Sequence, residues 1–107
     1  MTNKYVAGTI AVIFASRRTG EDATGYEAAA ESMGARAAAM PGYLGIHSAR
    51  GADGFGLTVS YWADEASALA WRDDAEHARI RELGRMRWYE SYELIVSSVT
   101  RSYDWER

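Results

Sequence analysis

Cysteine is absent from the 107 residues. Disulfides, thiolate nucleophiles and cysteine metal sites are therefore excluded, which agrees with a cytoplasmic setting. Histidine is scarce. His47 and His77 stand far apart with no close His-x-His spacing, so no metal centre is expected. Basic residues do not outnumber acidic ones: 12 Lys and Arg face 15 Asp and Glu, for a net charge of −3. That argues against nucleic acid as a partner, because the phosphate backbone needs a clustered basic surface. No apolar run approaches the roughly 20 residues needed to cross a bilayer. The longest, Tyr5 to Ala15, is followed by Arg17-Arg18 and Glu21-Asp22 rather than a small-residue cleavage site. Its β-branched and aromatic content reads as a strand and not a leader. Repeats and low-complexity tracts are missing, so residues 1–107 read as one domain. There is no glycine-rich phosphate loop; Gly51-Ala52-Asp53-Gly54 is a turn.

The segments that are present alternate in type. Tyr5 to Ser16 is nearly continuously apolar, as a strand covered on both faces should be. Thr24 with Glu27 has capping-box spacing and starts a helix. Tyr26, Ala29, Ala30, Met33, Ala37 and Met40 form its buried stripe, and Pro41-Gly42 stops it. Tyr43 to Arg50 and Phe55 to Trp62 read as a hairpin across the 51–54 turn. Asp64 caps a second helix from Glu65, and Asp73-Asp74 should break it, since aspartate competes for backbone donors. A last strand runs from Tyr89 to Tyr103.

Strand, helix, strand, strand, helix, strand with right-handed crossovers gives a ferredoxin-like α+β fold: a four-stranded antiparallel sheet with its helices on one face. The other face would be bare, yet the first and last strands are apolar on both sides. A second copy is the simplest cover, so a two-fold homodimer joined through its sheets is expected.

The densest chemistry lies in Trp71-Arg72-Asp73-Asp74-Ala75-Glu76-His77, continued by Arg81, Gly84-Arg85, Arg87 and Trp88-Tyr89. On an unbroken helix Trp71 and His77 would diverge by about 120°. They converge only if the helix breaks at the paired aspartates. His77, Arg81 and Gly84 then share one face, and Gly84 admits a close approach. Plainer readings stand beside these. Trp71 suits a core, His77 suits a solvated helix, and His47 suits a structural or exposed position. The arginines 79, 81, 85 and 87 suit a solvated face balanced by Glu76, Glu82 and Glu90. The aromatic residues near the C-terminus suit a dimer interface.

Pro41-Gly42-Tyr43-Leu44-Gly45, the hairpin ending Val59-Ser60-Tyr61-Trp62, and Ala70-Trp71 followed by Glu76-His77 resemble the antibiotic biosynthesis monooxygenase (ABM) family. The resemblance covers nearly the whole chain. It implies a dimeric α+β barrel with a pocket between helices and sheet in each subunit. Some members oxygenate aromatic polyketides without metal or flavin, and others bind and degrade haem. The haem-degrading pattern has an asparagine early in the first strand and a histidine ten residues after the helix tryptophan. Here Val6 to Ser16 holds no asparagine, and the residue ten after Trp71 is Arg81. The resemblance therefore implies a cofactor-free monooxygenase acting on a small aromatic molecule, with a non-catalytic ligand-binding barrel and a haem-binding relative as alternatives. In cofactor-free oxygenation the substrate is the reductant. The protein must supply a base, a flat apolar slot and a cation for the developing oxyanion. His77 fits the base, being the side chain that titrates near neutrality. Trp71, Phe14 and Tyr61 fit the slot, and Arg81 or Arg87 fits the oxyanion.

Overall fold

A computed structural model describes residues 5–107. Strand β1 (Ile10–Arg18), helix α1 (Ala23–Ala38), strands β2 (Tyr43–Arg50) and β3 (Phe55–Trp62), helices α2 (Glu65–Arg72) and α3 (Ala75–Leu83), and strand β4 (Tyr89–Ser98) follow in that order. A π-helical turn, Gly84–Trp88, joins α3 to β4. The strands form one antiparallel sheet in the order β2-β3-β1-β4. This is the ferredoxin-like α+β fold that the order of segments implies. The second helical stretch is split in two because Asp73 closes α2 and Asp74 caps α3.

Register decides which residues the helices cover. Ile10, Val12, Phe14 and Ser16 of β1 lie opposite Trp62, Ser60, Thr58 and Gly56 of β3. On the other side they lie opposite Ser98, Val96, Leu94 and Tyr92 of β4. Side chains alternate with a period of two, so all of these share one face. The core forms there: Ile10 and Trp62 cluster with Ala37 of α1 and with Ala68 and Trp71 of α2. Trp62 is fully buried, and its indole Nε1 donates to Ser60 Oγ at 2.9 Å. Ile13, Leu57, Val59, Tyr61 and Ile95 fall on the opposite face by the same alternation. Leu57 and Ile95 are each 46% exposed. At one end of that face Tyr5 stacks on Tyr61, ring centroids 4.1 Å apart.

Three element boundaries differ from the sequence expectation. The first strand begins at Ile10, not Tyr5, because Gly8 at φ 94° turns the chain. Thr9 N–H then bonds back to Val6 C=O at 3.1 Å. The last strand ends at Ser98, not Tyr103; beyond it Ser102 brackets Tyr5, its Oγ accepting from Tyr5 N–H and donating to Tyr5 C=O. Helix α1 is capped by Asp22, not Thr24. Asp22 adopts φ 53°, and its carboxylate accepts from Gly25 N at 3.2 Å and from Trp88 Nε1 at 3.2 Å. The indole partner, 66 residues away, favours Asp22 over the locally better-spaced threonine.

Candidate active site

The break between α2 and α3 brings Trp71 and His77 together. Asp74 at the N-cap of α3 accepts from the His77 backbone N–H at 3.0 Å. The turn folds the imidazole back over the last turn of α2. Its ring lies on Trp71, with centroids 4.0 Å apart and planes 11° from parallel. Trp71 in turn stacks on Trp62 at 6.1 Å, and Tyr43 meets Trp62 edge-on at 5.7 Å. His77 is the outer, half-buried member of a stack rooted in the core.

The hydrogen bond of His77 sets its tautomer. Nδ1 lies 2.9 Å from the carbonyl of Trp71. A carbonyl only accepts, so Nδ1 carries the proton and Nε2 keeps its lone pair. Burial lowers the His77 pKa below its ordinary value; the Trp71 carbonyl opposes this, and the Arg81 cation adds to it. The imidazole is therefore neutral at pH 7, with one basic nitrogen directed away from its only side-chain-to-backbone bond.

Helix α1 anchors this turn through an ion pair. Arg36 Nε and Nη2 donate to Asp74 Oδ2 and Oδ1 at 2.6 and 2.9 Å, a bidentate clasp. Arg36, helped by the His77 backbone N–H, lowers the Asp74 pKa to about 2. A depressed carboxylate pKa stabilises the fold above the unfolded value of about 3.9, and that contribution disappears as pH falls through the folded value. Replacing Asp74 with Asn is thus expected to remove part of the acid sensitivity between pH 4 and 2. Tm measured across that window in both proteins checks it.

The remaining expected residues are distributed unevenly. Phe14 lies on the helix side of the sheet, edge-on to Tyr89 at 5.2 Å and beside Tyr92 at 5.1 Å. Its β4 partner Leu94 and the neighbouring Val96 are on that same side, yet 52% and 53% exposed. Helix α3 contributes no fully buried residue. The helices therefore leave an apolar strip of sheet open beside Phe14. Arg81 follows His77 by one turn of α3, and both its terminal nitrogens approach the Arg72 carbonyl at 3.4 Å. Arg87 sits in the π-helical turn with Nη1 3.4 Å from Asp22 Oδ2; among the described residues nothing ties it to His77. Tyr61 lies on the other face of the sheet, where its hydroxyl is 3.2 Å from His47 Nδ1. The close approach at Gly84 is taken by Tyr89, since a Cβ there would fall 2.8 Å from the phenol ring. So the structure gathers Trp71, His77 and Arg81, sets Phe14 on the same side, and separates Arg87 and Tyr61. Leu94 and Val96 were not singled out from sequence, where they read only as part of a buried strand. Surface clefts of about 300 and 410 Å³ lie elsewhere, and neither is lined by Trp71 or His77. Among the described residues no group of three or more His, Asp and Glu is placed to hold a metal ion. No described helix is long and apolar enough to cross a membrane.

Residues 9–83 match the family model described as antibiotic biosynthesis monooxygenase, which is most of the chain. The chain belongs to the ABM family. Two curated proteins resemble it to different extents. It is 48% identical over 91 residues to protein YqjZ of Bacillus subtilis, covering 85% of this chain and 79% of that one. It is 33% identical over 94 residues to the jasmonate monooxygenase ABM of Pyricularia oryzae; that covers 86% of this chain but 44% of the fungal protein. Two solved structures share this fold at low identity. SnoaB, a cofactor-independent oxygenase from Streptomyces nogalater, superposes with a TM-score of 0.77 at 13% identity, covering 90% of this chain and 97% of SnoaB. Rv0793 from Mycobacterium tuberculosis gives 0.78 at 12% identity, covering 90% and 99%.

Proposed function

We propose that this ABM protein is a cofactor-independent monooxygenase of an electron-rich aromatic or polyketide-like substrate, such as a phenol, quinol or anthrone. The observation that carries the reading is the neutral His77 imidazole, fixed on Trp71 with Nε2 as its free base. SnoaB, of the same fold, is a cofactor-independent oxygenase, which fits this chemistry class, and the fungal relative, a jasmonate monooxygenase, supports monooxygenation in general. Nε2 takes a proton from the activated CH of the substrate. The resulting carbanion passes an electron to dioxygen, and the radical pair combines as a peroxide. Loss of water then leaves a carbonyl: one oxygen atom stays in the product and the other leaves as water. Phe14, with Leu94 and Val96, supplies the apolar surface, Trp71 braces the His77 ring from behind, and Arg81 supplies the positive charge for the oxyanion. We assign no catalytic part to Arg87 or Tyr61. Oxygen uptake with an anthrone and no added metal tests the activity.

Haem is not part of this reading. Arg81 stands ten residues after Trp71, where the haem branch has its histidine. Adding hemin and recording the absorbance spectrum tests this; a Soret shift at micromolar protein would overturn it.

We further propose that two copies pair through the sheet face carrying Ile13, Leu57, Val59 and Ile95, in the cytoplasm. Among the described residues no helix lies on that apolar sheet face, and only Tyr5 packs at its end, which supports this. Sedimentation is expected to give a dimer for the natural sequence and a monomer for Leu57→Glu, because a two-fold axis places that charge in the interface twice. A well-folded monomer of the natural sequence at micromolar concentration removes the barrel.

A further inference from the structure

We propose that the cleft between α1 and β2 binds the carboxylate of a small monoanionic organic molecule, with Arg18 as its anchor. This site lies apart from His77, and the inference does not rest on the oxygenase reading. The cleft is open to the surface, has a volume of about 410 Å³ and is lined by Arg18, Tyr26, Glu27, Ser48 and Arg50, together with alanines. That volume suits a small organic acid.

Two guanidiniums meet there without a carboxylate partner among the described residues, although neighbouring Arg17 pairs with Asp53. Arg50 spends its donors on neutral oxygens and shapes the cleft. Its Nη1 donates to Gly54 C=O at 2.6 Å and to Ser16 C=O at 3.1 Å; its Nη2 donates to Ser16 Oγ at 2.8 Å and to the Tyr26 hydroxyl at 3.1 Å. Arg18 differs. Its guanidinium lies over the Tyr26 ring, 3.9 Å from the centroid. Only Nη1 is committed, to the carbonyls of Glu21 and Trp88, both at 3.2 Å. Guanidinium has five N–H donors in a fixed fork. Arg18 thus keeps its Nε and Nη2 donors, the edge that grips a carboxylate with two parallel bonds. No other described residue takes them.

Charge selects the class of anion. Arg18 and Arg50 bring two positive charges to the cleft, and Glu27 brings one negative. The net single positive charge is fully balanced by a monoanion, whereas a phosphate dianion would leave one charge uncompensated in the cleft. The flat face of Arg18 is pinned by Tyr26, which is itself edge-on to Trp88 and Tyr89, each at 5.9 Å. A fork held by stacking loses little freedom when the ligand arrives.

Titration of the full chain with benzoate, its neutral isostere benzamide and inorganic phosphate tests the assignment, read by the Arg18 Nε–H resonance and by calorimetry. Benzoate is expected to saturate and shift that resonance, benzamide to leave it unmoved, and phosphate to compete poorly. Arg18→Gln is expected to weaken benzoate binding about tenfold or more, with Tm lowered only by the loss of its two carbonyl bonds and its stack on Tyr26, whereas Glu27→Gln tightens binding several-fold. Equal binding of benzamide, preference for phosphate, no saturation, or unchanged affinity in a folded Arg18→Gln protein would overturn the proposal. Should Arg18→Gln fail to fold, the exposed Glu27→Gln position decides it, and unchanged benzoate affinity there has the same consequence.

Discussion

His77→Ala is expected to slow oxygenation by about 10²–10⁴-fold, the usual contribution of a positioned general base. The expectation rests on geometry and protonation together. Nδ1 is held by the Trp71 carbonyl at 2.9 Å, which leaves Nε2 as the one basic nitrogen. Burial keeps the ring neutral by lowering its pKa below the ordinary 6.5. Activity in the natural protein should therefore rise with pH along a limb lying below pH 6.5, then stay flat through neutrality. In His77→Ala that limb should vanish along with most of the rate. Stability carries a linked signature. A histidine with a lowered folded pKa stabilises the fold above its unfolded value, and the contribution is lost as pH falls through the folded one. The variant should accordingly lose less stability than the natural protein on acidification below pH 6.5. Steady-state rates and urea midpoints at a series of pH values check both. A variant that retains the rate removes His77 as the base.

Trp62→Ala is expected to cost about 3–5 kcal/mol, the usual range for deleting a fully buried large aromatic. A domain of this size has only about 5–15 kcal/mol in hand. The loss would lower Tm by roughly 15 °C or more. Three effects add at this position. The indole has no exposed surface. Its removal strips Ser60 Oγ of the donor 2.9 Å away. It also undercuts Trp71, which stacks on it at 6.1 Å and carries His77 on its other side. Trp62→Phe keeps an aromatic platform and should cost less while retaining the His77 tautomer. Urea denaturation of the two variants separates simple volume loss from loss of the stack.

The fold was legible because its signals are local. Alternation in Phe55 to Trp62, the Asp64 cap and the paired aspartates each specify a strand, a start and a break within a few residues. The convergence of Trp71 and His77 followed from the break, since only a turn at Asp73-Asp74 cancels the helical divergence. What escaped depends on partners distant in sequence. Asp22 displaces Thr24 as the cap because Trp88 and Arg87 come to it from the far side of the chain. Tyr61 and Phe14 look equivalent as strand aromatics, but register sends them to opposite faces. Arg18 and Arg50 carry no motif at all; only the sheet places their charges beside one cleft. The open strip at Leu94 and Val96 was hidden for the opposite reason: continuous apolar sequence says that a strand can be covered, not that this chain covers it.

The proposed oxygen transfer is driven by the substrate's own electrons at a protein base. Chelator-treated protein turned over once on an anthrone under ¹⁸O₂ tests it directly, with the quinone product read by mass spectrometry. One labelled oxygen atom in the quinone, formed without added metal, is the expected result. Unlabelled product, or turnover that returns only when a metal ion or haem is supplied, would contradict it.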